Sequence, residues 1–237
     1  MIDNQPLHKA QIAILDALRH NKALRFSDLM QPTGLTSDAF KFHIRKLVHA
    51  GIIEKADNGE YQLTVRGKEI ANTINRTNRS LQKQPKLSVL LIVTRQSANG
   101  QAEYLVQQRE RQPFYHYWSF ISGPTVWGEE PEASAKRELE KQTGLTTSQV
   151  VVHGFYRERG YMEGSDELLE DKLFAVVTCL VDNTELKDWS GGHNSWMTLQ
   201  ELSQQEKYFS SCLVVTSMLD AGEPYASRSE HYPADVY

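Results

Sequence analysis

The stretch GPTVWGEEPEASAKRELEKQTGL, Gly123–Leu145, constrains this chain more than any other. It marks both ends of a helix. Pro131 suits the first helical position, where its missing N–H has no intrahelical partner, and Gly144 suits the left-handed residue just past the end. Between them Glu138, Lys141 and Gln142 stand at i, i+3 and i+4, the spacing that gathers three side chains on one face. Glu140 lies roughly 200° around the helix from Glu138 and points away. One face therefore carries a carboxylate, an ammonium and an amide.

The flanks alternate strand and helix patterns. LSVLLIVTR reads as a buried strand, Asn99-Gly100 as a turn and AEYLVQQRE as the returning strand. FYHYWSFISG, QVVVHGFYRERGYM and DKLFAVVTCLV read as further strands. HNSWMTLQELSQQE reads as a strand entering a helix at Thr198, and Ser211–Leu219 suits a closing helix. This order implies an α/β or α+β sandwich. The tail GEPYASRSEHYPADVY is polar, contains a proline and reads as no element.

The helix and its loop resemble the signature of the Nudix hydrolases. That frame is Gly, five residues, Glu, seven residues, Arg-Glu-apolar, one residue, Glu-Glu, one residue, Gly-apolar. Here Gly123, Glu129, Arg137-Glu138-Leu139 and Gly144-Leu145 match without a gap, and Lys141-Gln142 replace the last glutamate pair. YWSFISG and NSWMTLQEL also look like this family, so the resemblance spans about residues 87–220. It implies an α/β/α sandwich, with Glu129 bracing Arg137 and Glu138 as the remnant catalytic and metal-binding carboxylate. Family members cleave substituted nucleoside diphosphates with Mg2+ or Mn2+ held at the positions matching 138, 141 and 142.

Magnesium wants one or two carboxylates besides phosphate, and an ammonium in the cluster repels it. The expectation is a chain without a metal cofactor, with Mg2+ or Mn2+ needed only if the site is active. An ammonium can, however, supply part of a metal's charge toward phosphate without activating water. Candidate ligand-binding residues are therefore Lys141 and Gln142, with Arg109 and Arg111 for phosphate and Tyr117 or Trp118 for stacking. Trp118 reads at least as well as core. EGSDELLED, Glu163–Asp171, reads as a solvated acidic loop from which one acid could reach the site.

The front of the chain is of another kind. Leu7, Ala10, Ile14, Leu15 and Leu18 share a helical face. A short second helix is expected from an N-cap at Ser27 to before Pro32-Thr33-Gly34. A third follows Thr36, with Phe40, Ile44 and Leu47 inward and Gly51 as its left-handed cap. IIEKADNGEYQLT reads as a hairpin with Asn58-Gly59 as a two-residue turn, and a last helix covers roughly Val65–Asn75. Gly34–Glu69 resembles bacterial winged-helix regulators of the multidrug-resistance and arsenic-repressor type. The resemblance implies DNA contact through the outward face of the third helix and the wing. The candidates there are Ser37, Asp38, Lys41, Phe42, Arg45 and Asn58.

Charge divides the same way. Residues 1–86 hold 14 Lys and Arg against 8 Asp and Glu, and residues 87–237 hold 12 against 22. A basic front suits a polyanion. Residues 76–86, RTNRSLQKQPK, are basic and read as a linker. The expected organisation is a winged helix-turn-helix domain at 1–75, this linker, and a Nudix-like α/β (α+β) domain at 87–237.

The expected function is a DNA-binding regulator, a homodimer whose degenerate Nudix domain senses a nucleotide-type metabolite such as ADP-ribose. Nudix-related regulators of NAD and sugar metabolism join the same two parts, with the winged helix after the sensor rather than before it. The alternative is an active pyrophosphohydrolase with an accessory winged helix. Apolar runs such as Val89–Val93 fall short of the roughly 20 residues that span a bilayer. No secretory signal is read at the N-terminus, and Cys179 and Cys212 read as buried thiols, so the chain is expected in the cytoplasm with no membrane partner.

Overall fold

A computed structural model describes residues 7–75, 81, 83–181 and 185–237; the start of the chain and most of the basic stretch 76–86 lie outside the described residues. The chain divides into two compact units, Met1–Lys83 and Gln84–Tyr237.

The first unit runs α1 (Lys9–Arg19), α2 (Phe26–Met30), a 3-10 turn, α3 (Ser37–His49), β1 (Ile53–Lys55), β2 (Tyr61–Leu63) and α4 (Val65–Asn72). Ile14, Leu15, Leu18, Leu29, Phe40, Ile44, Leu47, Ile52 and Ile53 form its core. α1 opens with a capping box in which the His8 ring accepts from Ala10 N and Gln11 Oε1 accepts from His8 N. α3 closes with both bonds of a Schellman motif, Ile52 N to Leu47 O at 3.0 Å and Gly51 N to Val48 O at 2.9 Å. Gly51 takes φ +65°, and buried Ile52 packs beneath the cap.

Three local expectations need correction. α2 starts from Arg25, not Ser27, because Leu24 is bridged to Tyr61 through two backbone hydrogen bonds and the chain turns helical directly after it. The hairpin loop has three residues, not two. Ala56 N donates to Glu60 O and Gly59 N to Ala56 O, with Gly59 left-handed at φ +84°, a type I turn closed by a glycine bulge. α4 ends at Asn72, since Ile74 instead bridges to Leu81. Gly67, unusual inside a helix, is there because a Cβ would lie 2.0 Å from Ile52 O.

The second unit holds β3 (Lys86–Ile92), β4 (Thr94–Gln96), β5 (Ala102–Arg109), β6 (Trp118–Pro124), α5 (Pro131–Thr143), β7 (Thr147–Met162), β8 (Leu168–Val181), β9 (Gly192–Met197), α6 (Leu199–Ser203), α7 (Ser211–Ala221) and β10 (Tyr225–Tyr232). Among the described residues eight strands make one mixed sheet, ordered β10-β7-β8-β3-β6-β5-β4 with β9 on β5. Helices cover both faces. Val89 and Leu91 pack with Ala135 and Leu139 of α5, while Leu90 and Ile92 pack with Leu202 of α6 and Val215 and Met218 of α7. That double cover explains the unbroken apolar run in β3, since successive side chains enter opposite cores.

LSVLLIVTR is two strands rather than one. β3 pairs with β8 and β6, and β4 pairs with β5, so the chain changes partner at Val93. The polar tail, read as no element, forms β10, which runs parallel to β7 from Tyr225–Phe155 to Tyr232–Met162. Among the described residues no helix is long and apolar enough to cross a membrane.

Candidate functional site

α5 sets the geometry. Pro131 occupies its first turn and Gly144 follows it at φ +71°, donating to Glu140 O at 2.9 Å. Burial of Ala135 and Leu139 against the sheet turns Glu138 and Gln142 toward β6, where each is 1% exposed. Gln142 Nε2 donates to Glu138 Oε2 at 2.7 Å and to Ser122 O at 3.0 Å. Arg137 Nη1 donates to Glu138 Oε1. Lys141 Nζ, half exposed, lies 3.6 Å from Glu138 Oε2. β6 makes room with a glycine, for a Cβ on Gly123 would sit 2.3 Å from Glu138 Cγ. Glu140 is exposed on the other side.

The loop into α5 is braced by Glu129. Arg137 Nε and Nη2 donate to its two oxygens at 3.0 and 2.7 Å, and Ser134 Oγ donates at 2.6 Å. The Arg137 bonds and then the Ser134 bond hold the Glu129 carboxyl down at about 2, and the same pairing raises the Arg137 guanidinium above its usual value.

This donor set does not fit a divalent cation. Glu138 is the one carboxylate on the face, and two cations and an amide N–H already neutralise it. The amide nitrogen of Gln142 must face Glu138, because its oxygen there would be repelled. That leaves Gln142 Oε1 buried with no partner. Among the described residues no group of three His, Cys, Asp or Glu side chains could hold a metal. EGSDELLED does not bring a substitute. Its last two acids lie in β8, where Asp171 pairs bidentately with Arg157 at 2.9 and 2.7 Å and Glu170 pairs with Lys86 and Lys172.

The remaining candidates separate. Arg111 Cζ lies 5.1 Å from the Trp189 ring centroid, and Lys141 Nζ lies 5.3 Å from the same centroid. Arg109 instead folds into its own loop, Nε donating to Pro113 O at 3.0 Å, and burial followed by the neighbouring Arg111 lowers its pKa. Trp118 is 7% exposed in the core under α7, on the face of the sheet away from α5, so it does not meet Lys141. Tyr117 packs against Phe114 and Phe209.

Trp189 was not picked out by sequence reasoning. Its ring lies over Gly191, where a Cβ would approach within 2.5 Å. Asn194, 5% exposed, ties this turn to α5 by donating from Nδ2 to Gln142 O at 2.6 Å and to Lys187 O at 2.7 Å. Asp188 accepts from Asn194 N at 2.6 Å and meets His193 Nδ1 at 2.7 Å, and these contacts, Asn194 first, lower its pKa. The available signal was the glycine pair in WSGGHNSW, which marks close approach of a large side chain to backbone.

In the first unit Ser37, Asp38, Lys41, Phe42, Arg45 and Asn58 are all exposed. Lys41 Nζ lies 3.4 Å from Asp38, Lys46 Nζ lies 4.9 Å over the Phe42 ring, and Asn58 bonds Glu60 at the hairpin tip. Phe42 is 55% exposed, large for an aromatic side chain with no core role.

Comparison with known proteins follows the division of the chain. Residues 7–74 match the model of a domain of unknown function (DUF7347), and residues 84–212, more than half of the chain, match that of the NUDIX domain. No curated protein matches the chain. Similar solved structures include the NUDIX domain of Shewanella oneidensis NrtR complexed with ADP ribose, at 16% identity and TM-score 0.44 over 59% of this chain and 88% of that one. A MutT protein from Bacillus halodurans gives 17% and 0.49 over 64% and 93%. A MutT NUDIX hydrolase from Burkholderia pseudomallei gives 16% and 0.47 over 57% and 98%. These likenesses are distant, and the assignment rests on the domain match together with the retained loop–helix–loop: the chain belongs to the NUDIX domain family.

Proposed function

We propose that this chain is a DNA-binding transcriptional regulator whose NUDIX domain recognises a metabolite of the nucleoside-diphosphate type without cleaving it. The observation that carries the reading is the state of Glu138. Its buried carboxylate is satisfied by Arg137, Gln142 and Lys141, so no free carboxylate on that face is left to gather a metal and activate water. Hydrolysis needs such a carboxylate cluster; recognition of phosphate needs only positive charge and donors.

The front unit supports the regulatory half. It offers an exposed helix face with Lys41, Arg45 and Lys46 and a hairpin beside it, an arrangement suited to a major groove and flanking phosphates. A ligand regulates such a protein only by binding one state of it better than another.

The test is fluorescence anisotropy of the full chain on its own promoter region and on random DNA at physiological salt. The reading expects tighter binding to the promoter, a loss of at least tenfold when Lys41→Ala is combined with Arg45→Ala (roughly two phosphate or base contacts), and a change in affinity on adding ADP-ribose. Equal affinity for both DNAs, unmoved by the double substitution, contradicts it.

A further inference from the structure

We propose that Arg111, Lys141 and Trp189 form one metal-independent subsite for the diphosphate group of a nucleotide ligand. This deepens the sensor reading and rests on it.

The three side chains share one property: each can only donate. A guanidinium, an ammonium and an indole N–H carry no acceptor, so together they select an anion. The two cations are drawn to one ring, at 5.1 and 5.3 Å from its centroid. The ring gives each cation only a weak partner, and an anion held beside the ring would meet both charges. The Trp189 Nε1 atom is buried with no hydrogen-bond partner, a donor awaiting an acceptor.

Neighbouring acids do not fill the role. Asp188 has one oxygen on Asn194 N and the other on His193. Glu138 meets Lys141 at 3.6 Å but is also held by Arg137 and Gln142, so the ammonium keeps donors to spare.

Both supports are held by packing. Trp189 is seated on Gly191. The loop carrying Arg111 holds two non-glycine residues in the left-handed region, Phe114 at φ +63° and His116 at φ +67°. Phe114, 3% exposed, anchors that loop among Tyr117, Phe209, Tyr232 and Tyr237. A site with two cations beside one ring suits a dianionic group better than a single carboxylate, hence a diphosphate.

Isothermal titration calorimetry of the full chain in EDTA tests this, with inorganic diphosphate, ADP, ADP-ribose and adenosine as probes. The expected result is binding of the three phosphorylated probes and not of adenosine. Trp189→Phe, which keeps the ring and removes the N–H, and Arg111→Gln, at an exposed position, are each expected to weaken binding about tenfold. Binding that disappears in EDTA but returns with Mg2+, or that neither substitution changes, overturns the subsite and leaves the sensor reading standing. Absence of binding with and without Mg2+ overturns both.

Discussion

Two ion pairs of the same make sit on two helices. Lys41 of α3 lies 3.4 Å from Asp38, and Lys141 of α5 lies 3.6 Å from Glu138, in each case three residues after the acid. The lysine side chains are alike, 51% and 53% exposed, but the acid side chains are not: that of Asp38 is 95% exposed and that of Glu138 2%. Water screens the first pair, which stabilises the fold by roughly 0–1 kcal/mol and can be exchanged for a phosphate contact. The second pair is part of a buried network, and removing one partner of a buried charge costs roughly 3–5 kcal/mol. One spacing thus makes an open, exchangeable face on α3 and a closed one on α5. Burial of the acid decides between them, and burial is set by which side of the helix meets a sheet.

The largest effect should come from breaking the closed face. Gln142→Glu places a second carboxylate where the amide now sits 2.7 Å from Glu138. The expected loss is roughly 3–5 kcal/mol in urea denaturation without metal. The two carboxyls must share a proton, so that loss should shrink as pH falls. In Lys141→Glu with Gln142→Glu, Mn2+ should raise the unfolding midpoint, whereas it leaves wild type unmoved. A Gln142→Glu variant as stable as wild type at neutral pH would erase the contrast between the two helices.

Gly123→Ala pushes a methyl group into the Glu138 side chain and should cost about 1–3 kcal/mol by overpacking, read from the same denaturation curves. The Glu129 brace should show as a pH effect. Its carboxyl is depressed from 4.5 to about 2 in the folded chain, so its contribution is present above pH 4.5 and is lost as pH falls toward 2. Wild type should lose its stability advantage over Glu129→Gln across that window. An advantage independent of pH would mean the brace acts through packing alone. Smallest of all, Asp38→Ala should change stability by no more than about 0.5 kcal/mol while tightening DNA binding measurably, since it frees Lys41. A large stability loss there would show that α3 is not the open face.

Much of this was legible because the sequence marks helix ends by chemistry. Pro131 and Gly144 bounded α5, and the i, i+3, i+4 rule placed Glu138, Lys141 and Gln142 on one side. What stayed hidden depends on partners distant in the chain. LSVLLIVTR reads as one strand, yet it divides where its neighbour changes from β8 and β6 to β5. The tail gains strand structure only because the edge of β7 is free to pair with it. Ser27 has the side chain of an N-cap, but the bridge between Leu24 and Tyr61 moves the helix start. Trp189 is 48 residues from Lys141 and meets it only because Asn194 fastens its turn to the end of α5. Local rules saw the face and missed what lies over it.

The proposed sensor recognises a diphosphate on the face of α5 and does not cut it. The direct measurement is to incubate the full chain with ADP-ribose and Mg2+ or Mn2+ and follow the appearance of AMP. The expected result is no product above a control without protein, with ADP-ribose recovered intact. Turnover at about 1 per second or faster, within the ordinary range of enzymes, and abolished by Glu138→Gln, would contradict it.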